Sequence, residues 1–146
     1  MEVFEPTPIC FAGVTGDRYW VQAPFDLTGV PVADRALAGF PIAIFLPRGR
    51  SPAHTPLVVA LQGLCAPYSW NDFIVPTLIQ MGIAVALIET PLAGERSLSH
   101  SFSGRVIEEV MPLLDLGVRL DSRLIFRLFR CLVRDVQVAI DLGRDR

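Results

Sequence analysis

The sequence predicts an α/β fold: a three-layer α/β/α sheet with an antiparallel N-terminal hairpin and a mostly parallel remainder. Three observations predict it. Leu57–Leu61 (LVVAL) and Ile83–Ile88 (IAVALI) are short unbroken apolar runs, the pattern of strands buried on both faces of a parallel sheet. The segment between them carries helix signals, and strand, helix and strand in that order suit one right-handed crossover. Beyond Ser103 the apolar spacing becomes helical.

Each element has its own local reason. Residues 1–17, with Pro6, Pro8, Gly13 and Gly16, read as an irregular lead-in. Arg18–Ala23 (RYWVQA) and Phe40–Pro47 (FPIAIFLP) read as two strands, paired antiparallel, with a Gly29–Val30–Pro31 turn and a polar stretch between them. PRGRSPAHTP at 47–56 is an exposed loop. Gly63 closes the Leu57–Leu61 strand. Ser69, Asn71 and Asp72 are N-cap candidates for a helix through Phe73, Leu78 and Ile79, which Gly82 stops. Pro76 must fall in its first turn, because deeper in the helix it would kink it. Farther on, Ile125, Leu128, Phe129, Leu132, Val136, Ala139 and Ile140 repeat at the spacing of one helix face, and Arg123, Arg127, Arg130 and Arg134 line another. Gly143 is a plausible stop. Residues 1–146 form one domain: the lead-in, a sheet with its first crossover over 18–104, and a helical part over 105–146.

Composition narrows the function classes. The chain is 51% hydrophobic and 19% charged, with a mean hydropathy of +0.45, which argues against disorder and suits a sheet covered on both faces. A net charge of −2 gives no electrostatic basis for binding nucleic acid. All 13 basic residues are Arg, a compositional bias. The Arg stripe has two readings, a solvated helix face or contact with an anionic partner or membrane surface, and the solvated face is the expectation. Cys10, Cys65 and Cys131 form no CxxC pair, which fits a reduced compartment. MEVFEPTPIC has no basic n-region, and no run approaches the roughly 18–20 apolar residues of a membrane span. The expectation is a cytoplasmic protein.

The segment from Pro56 to Arg96 resembles the α/β-hydrolase family, in particular its esterase and dienelactone-hydrolase-like branch. Where members typically carry a strand ending in His-Gly-x, this sequence reads Leu61-Gln62-Gly63-Leu64. Where they carry a turn resembling Asp-x-Pro-x-x-Gly-x, it reads Ile88-Glu89-Thr90-Pro91-Leu92-Ala93-Gly94-Glu95-Arg96. Arg134–Leu142 is similar to the helix preceding the family's nucleophile strand. The resemblance covers residues 40–142 in pieces.

The resemblance implies an ester or acyl hydrolase whose oxyanion loop is Gly63, Leu64 and Cys65. The Leu64 N–H would face the oxyanion, and Gly63 would permit the close approach. Gln62 stands where His is commoner, and a plain strand-to-helix turn of any doubly wound fold is the alternative reading of this turn. Glu89 stands where the family often has Asp and reads as a supporting or loop-capping acid. The family places a G-x-S-x-G elbow on a strand after the helix ending near Leu142, then an acid and a histidine. The sequence holds none of these, so the expectation is the N-terminal half of such a domain, inactive alone. Completed by a C-terminal half, it would act on a small-molecule ester or acyl substrate.

Other reactive groups point less directly. Ser101, in Ser99-His100-Ser101-Phe102-Ser103-Gly104, is the nearest imitation of a nucleophile, but Ser fills two elbow Gly positions and no apolar strand precedes it. Cys65 at the strand-to-helix turn reads as a thiol nucleophile or as an inert buried cysteine. His54 and His100 sit in polar loops without metal-ligand spacing. No G-x-G-x-x-G follows a strand, so no dinucleotide cofactor is expected, and no other cofactor or metal either. The non-enzymatic alternative is an α/β interaction or assembly domain. If the family's neighbour to the Leu57–Leu61 strand is missing, that strand is an open apolar edge and a route to self-association.

Overall fold

The computed structural model describes residues 1–23, 26–62, 71, 73–99 and 105–144. Its N-terminal part is more regular than the sequence suggests. Strands β1 (Glu2–Val3), β2 (Thr7–Phe11) and β3 (Val14–Gln22) replace the expected irregular lead-in. A two-residue turn at Ala12 and Gly13, with φ of 48° and 81°, joins β2 to β3. Left-handed backbone at both turn positions matches the twist of the flanking strands. Ile9, Phe11 and Val14 supply the apolar contacts, including an edge-on Phe11–Phe45 ring pair 5.8 Å apart. β1 and β2 pair in succession with the same edge of β3, and Pro8 is tolerated because β2 is an edge strand.

The other edge of β3 pairs antiparallel with β4 (Gly39–Phe45), from Asp17↔Ile44 to Gln22↔Gly39, as the hairpin expectation required. Between them lies helix α1 (Pro31–Leu37), which the sequence reading took for a turn and polar stretch. Pro31 at the first helical turn is preorganised for it. The buried Asp34 carboxylate accepts the N–H groups of Leu27, Thr28 and Gly29, organising the entry.

Next come β5 (Leu57–Leu61), α2 (Ile74–Gln80) and β6 (Ala84–Ile88), close to the expected crossover. Pro76 lies in the first turn of α2, and Gly82 ends it with φ +77°. Ser69 and Asp72, offered as caps, lie outside the described residues. β5 and β6 are parallel, but β6 inserts between β4 and β5, giving the order β1-β3-β4-β6-β5. Because β4 runs against β3, it also meets β6 antiparallel. The sheet is therefore mixed, and β5/β6 is its one parallel pairing among the described strands, where a mostly parallel remainder was expected.

Helices α3 (Val106–Asp115) and α4 (Ser122–Arg144) complete the chain. Alternation along β4 and β6 separates two cores. Ala43, Phe45, Val85 and Leu87 pack with Val75 of α2. Phe40, Ile42, Ile44, Ala86 and Ile88 pack with Val138 and Ala139 of α4. The three layers are thus α2, sheet and α4. A third cluster, including Leu37, Leu92, Leu113, Leu124 and Cys131, joins α1, α3, α4 and the chain after β6.

Two sequence expectations for α4 are corrected. Its buried residues are Leu124, Cys131, Asp135, Val138 and Ala139, whereas Ile125 and Phe129, placed on the core face by spacing, are 56% and 62% exposed. The helix is rotated because Asp135 is drawn inward to Arg96. Gly143 continues the helix, and it is small for a packing reason: a Cβ there would lie 2.8 Å from Leu57 Cδ2.

Candidate functional site

A parallel pair ends on one side of its sheet, so β5 and β6 deliver their carboxyl ends together, with Leu61 opposite Ile88. In open α/β sheets this side is where ligands bind. The first half of α4 faces the same region, and a cleft of ≈ 370 Å³ lies between them. Leu61 and Pro91 form its sheet side, and Ile125, Leu128, Phe129 and Leu132 its helix side. Gln62 and Thr90 bring the polar atoms, and no charged side chain lines the cleft among the described residues.

Those two polar residues are the unusual feature. Gln62 is 6% exposed and Thr90 8% exposed, yet Gln62 Nε2, Gln62 Oε1 and Thr90 Oγ1 have no hydrogen-bond partner among the described residues. An unsatisfied buried donor or acceptor costs about 1–3 kcal/mol, and native proteins rarely retain one without a reason. Both residues line the apolar cleft at the carboxyl ends of β5 and β6, which makes that cleft the candidate ligand site.

The loop behind Thr90 is held rigidly. Leu92 has φ 66°, a left-handed conformation that a branched side chain rarely adopts. Gly94 has φ +53°, and a Cβ on it would lie 2.0 Å from Glu89 Oε1, so only glycine fits. Glu89 is buried and its Oε2 accepts the Glu95 N–H at 2.7 Å, the loop-capping role expected of it. Arg18 and Glu95 form an ion pair at 2.6 Å on the outside of this loop.

Arg96 anchors the loop to the helix. Its guanidinium is fully buried, 2.6 Å from Asp135 Oδ2 and 4.4 Å above the Phe40 ring. It also donates to the carbonyls of Glu89 at 3.2 Å and Leu37 at 3.3 Å, and to Cys131 Sγ at 3.2 Å. Burial raises the Asp135 carboxyl above its ordinary value, opposed by Arg96. Burial likewise pushes the Cys131 thiol up to about 12, so it stays protonated at neutral pH and is no nucleophile. Ser97 and Ser99 donate to the Glu109 carboxylate of α3, the latter at 2.9 Å, tying down the far end of the loop.

The residues singled out from sequence are distributed unevenly. Gly63, Leu64 and Cys65 of the oxyanion loop, and Ser101 with His100, lie outside the described residues. Gln62, immediately before that loop, is in the cleft. His54 is exposed in a short 3₁₀ turn, Pro52–His54. No group of three or more His, Cys, Asp or Glu is placed to hold a metal among the described residues, and none of the described helices is long and apolar enough to cross a membrane. Sequence reasoning missed Thr90, whose signal was its place two residues past the end of a fully buried strand. It also missed the Arg96–Asp135 pair, signalled by Asp135 falling in helical register with Leu124, Cys131 and Val138. Comparison with protein-family models, curated proteins and solved structures found no match for this chain.

Proposed function

We propose that these residues form the oxyanion-side half of an α/β-hydrolase-type ester or acyl hydrolase, catalytically incomplete without a nucleophile elbow, acid and histidine from elsewhere. The observation that carries this reading is the position of Gln62. It leads from the carboxyl end of β5 into the oxyanion turn of the resemblance, and it lines an apolar cleft large enough for an acyl group. Further support comes from the place of β5 at the end of the strand order among the described strands, the side on which that family sets its nucleophile strand. On this reading the chemistry is binding and polarisation of a carbonyl, with backbone donors stabilising negative charge on its oxygen.

The test combines turnover and binding on the chain itself. With p-nitrophenyl butyrate, we expect no hydrolysis above background and no labelling by a fluorophosphonate, while the backbone amide signals of Leu61, Gln62 and Thr90 shift in a nitrogen–proton NMR spectrum. Hydrolysis with a label on Ser101 would show that these residues carry their own nucleophile and overturn the proposal. No shift at millimolar ester would remove the cleft from the proposal.

A second reading, an α/β interaction or assembly domain that associates through its edge, is favoured by one observation. Ile125, Phe126, Phe129 and Val133 leave an exposed apolar stripe on α4, beside a β5 edge where Val58 and Leu61 are also exposed. Exposed apolar side chains grouped along one helix face mark contact sites. A defined oligomer that ignores acyl ligands would favour it over the first reading.

A further inference from the structure

We infer that a cavity between the first turns of α4 and the turn leading into α1 binds a small phosphate monoester. The inference goes beyond the acyl-site reading and does not rest on it. The cavity, of ≈ 330 Å³, is enclosed by the 27–30 turn, the connection between α3 and α4, and the start of α4. Arg119, Arg123 and Arg127 line it, and Asp121 is the one acid among the described lining residues. Arg123 and Arg127 belong to the stripe expected to be a solvated helix face. Arg130 of the same stripe is exposed and lies outside the cavity.

The positive charge is not balanced from within. Arg119 and Arg123 form no ion pair among the described residues. Arg127 has a loose contact, its Nη1 3.9 Å from the carboxylate of Asp26, which is 84% exposed. Asp121 is engaged as a helix cap, its Oδ1 accepting the Leu124 N–H at 3.0 Å. The Arg127 guanidinium lies close to the 27–30 turn, since a Cβ on Gly29 would sit 3.3 Å from its Nη1. This grouping also works against the helix that carries it. The first turn of α4 contains Arg123 and no acid, the reverse of what the positive end of a helix favours. Arg123 and Arg127 are four residues apart, so their like charges repel along one face. The chain as a whole is acidic, with a net charge of −2, so basic composition does not account for the grouping. An anion between the guanidinium groups removes both costs, and departures from local rules of this kind concentrate at functional sites.

Charge and size select the class of anion. Three arginines against one aspartate leave two net positive charges on the lining, and a phosphate monoester carries about −1.5 to −2 at neutral pH. Its three terminal oxygens accept from several guanidinium forks at once, whereas a carboxylate brings one charge and two oxygens. The volume is near the lower end of the roughly 300–1,000 Å³ usual for small-molecule sites, which fits a compact polar molecule.

The test is calorimetric titration of the chain with glycerol 3-phosphate, inorganic phosphate and acetate at one ionic strength. Both phosphates are expected to bind with a Kd below about 1 mM, and acetate at least about tenfold more weakly. Arg123→Gln and Arg127→Gln should each weaken phosphate binding about tenfold, the order of one charge-assisted hydrogen bond, while Arg130→Gln leaves it unchanged. In the unsubstituted protein, the backbone amide signals of Gly29 and Gly117 should shift with glycerol 3-phosphate, a readout that stands even if a variant fails to fold. Equal losses from all three substitutions would show diffuse charge attraction and overturn the inference. So would acetate binding as tightly as phosphate, or no binding at millimolar phosphate with both glycine signals silent. Association with vesicles containing phosphatidic acid, with no response to either soluble phosphate, would assign these arginines to a membrane surface and overturn it as well.

Discussion

Replacing Asp135 by leucine is expected to cost about 3–5 kcal/mol, because it strands the Arg96 charge where no water reaches it. Both side chains are 0% exposed and lie 2.6 Å apart. The total stability of a domain this size is about 5–15 kcal/mol, so the variant should stay folded with a greatly lowered urea midpoint. The double variant Arg96→Met with Asp135→Leu separates attraction from desolvation. It removes both charges, but the carbonyls of Leu37 and Glu89 lose their donor. At about 1 kcal/mol each, the double variant should lose only about 1–3 kcal/mol, less than Asp135→Leu alone. Equilibrium urea unfolding followed by far-ultraviolet circular dichroism measures both, provided the slope with denaturant is unchanged. A loss below about 1 kcal/mol for Asp135→Leu, or a double variant as damaged as the sum of the singles, would refute the view that this pair anchors the loop to α4.

Three further outcomes follow from particular residues. The Cys131 thiol, ordinarily near 9.0 and raised to about 12, keeps its proton in the folded chain after the unfolded chain has lost it. Stability should therefore fall as pH rises from about 9 towards 12, by up to about 1.4 kcal/mol per pH unit, and Cys131→Ala should flatten that slope in urea midpoints measured against pH. Gly94→Ala forces a side chain into left-handed backbone and against Glu89, so a loss of about 1–3 kcal/mol from the backbone alone is expected in thermal melts. Val58→Lys puts a charge on the β5 edge, and any self-association seen by light scattering should diminish; a parent protein that is monodisperse at 16.1 kDa would contradict the open-edge argument.

Strands with unbroken apolar runs were legible, Leu57–Leu61 included, although that strand is not buried on both faces as expected: it ends the strand order among the described strands and leaves Val58 and Leu61 exposed. Ala84–Ile88 is buried at every position, and Gly39–Phe45 likewise, so their apolar runs had one reading. The N-terminal strands were not legible, because β2 is an exposed edge rich in proline and is held by its turn and by pairing with β3. Helix α1 was hidden because its start depends on Asp34 collecting three backbone N–H groups from the preceding turn. In α4, the apolar stripe read from spacing is met at Leu128, Val136 and Ala139, which pack on the cores, and fails at Ile125 and Phe129, which are exposed.

Local chemistry thus determined the α/β class, the crossover at 57–88, the helical C-terminal part and the proximity of Gln62 to a strand-end turn, since each depends on residues near in sequence. Tertiary structure decided the rest: the insertion of β6 between β4 and β5, the rotation of α4, the buried Arg96–Asp135 pair, and the meeting of Gln62 with Thr90 across one cleft. These depend on which strand pairs with which and on the cost of burying charge without a partner. Both are settled between residues far apart along the chain, where periodicity carries no information.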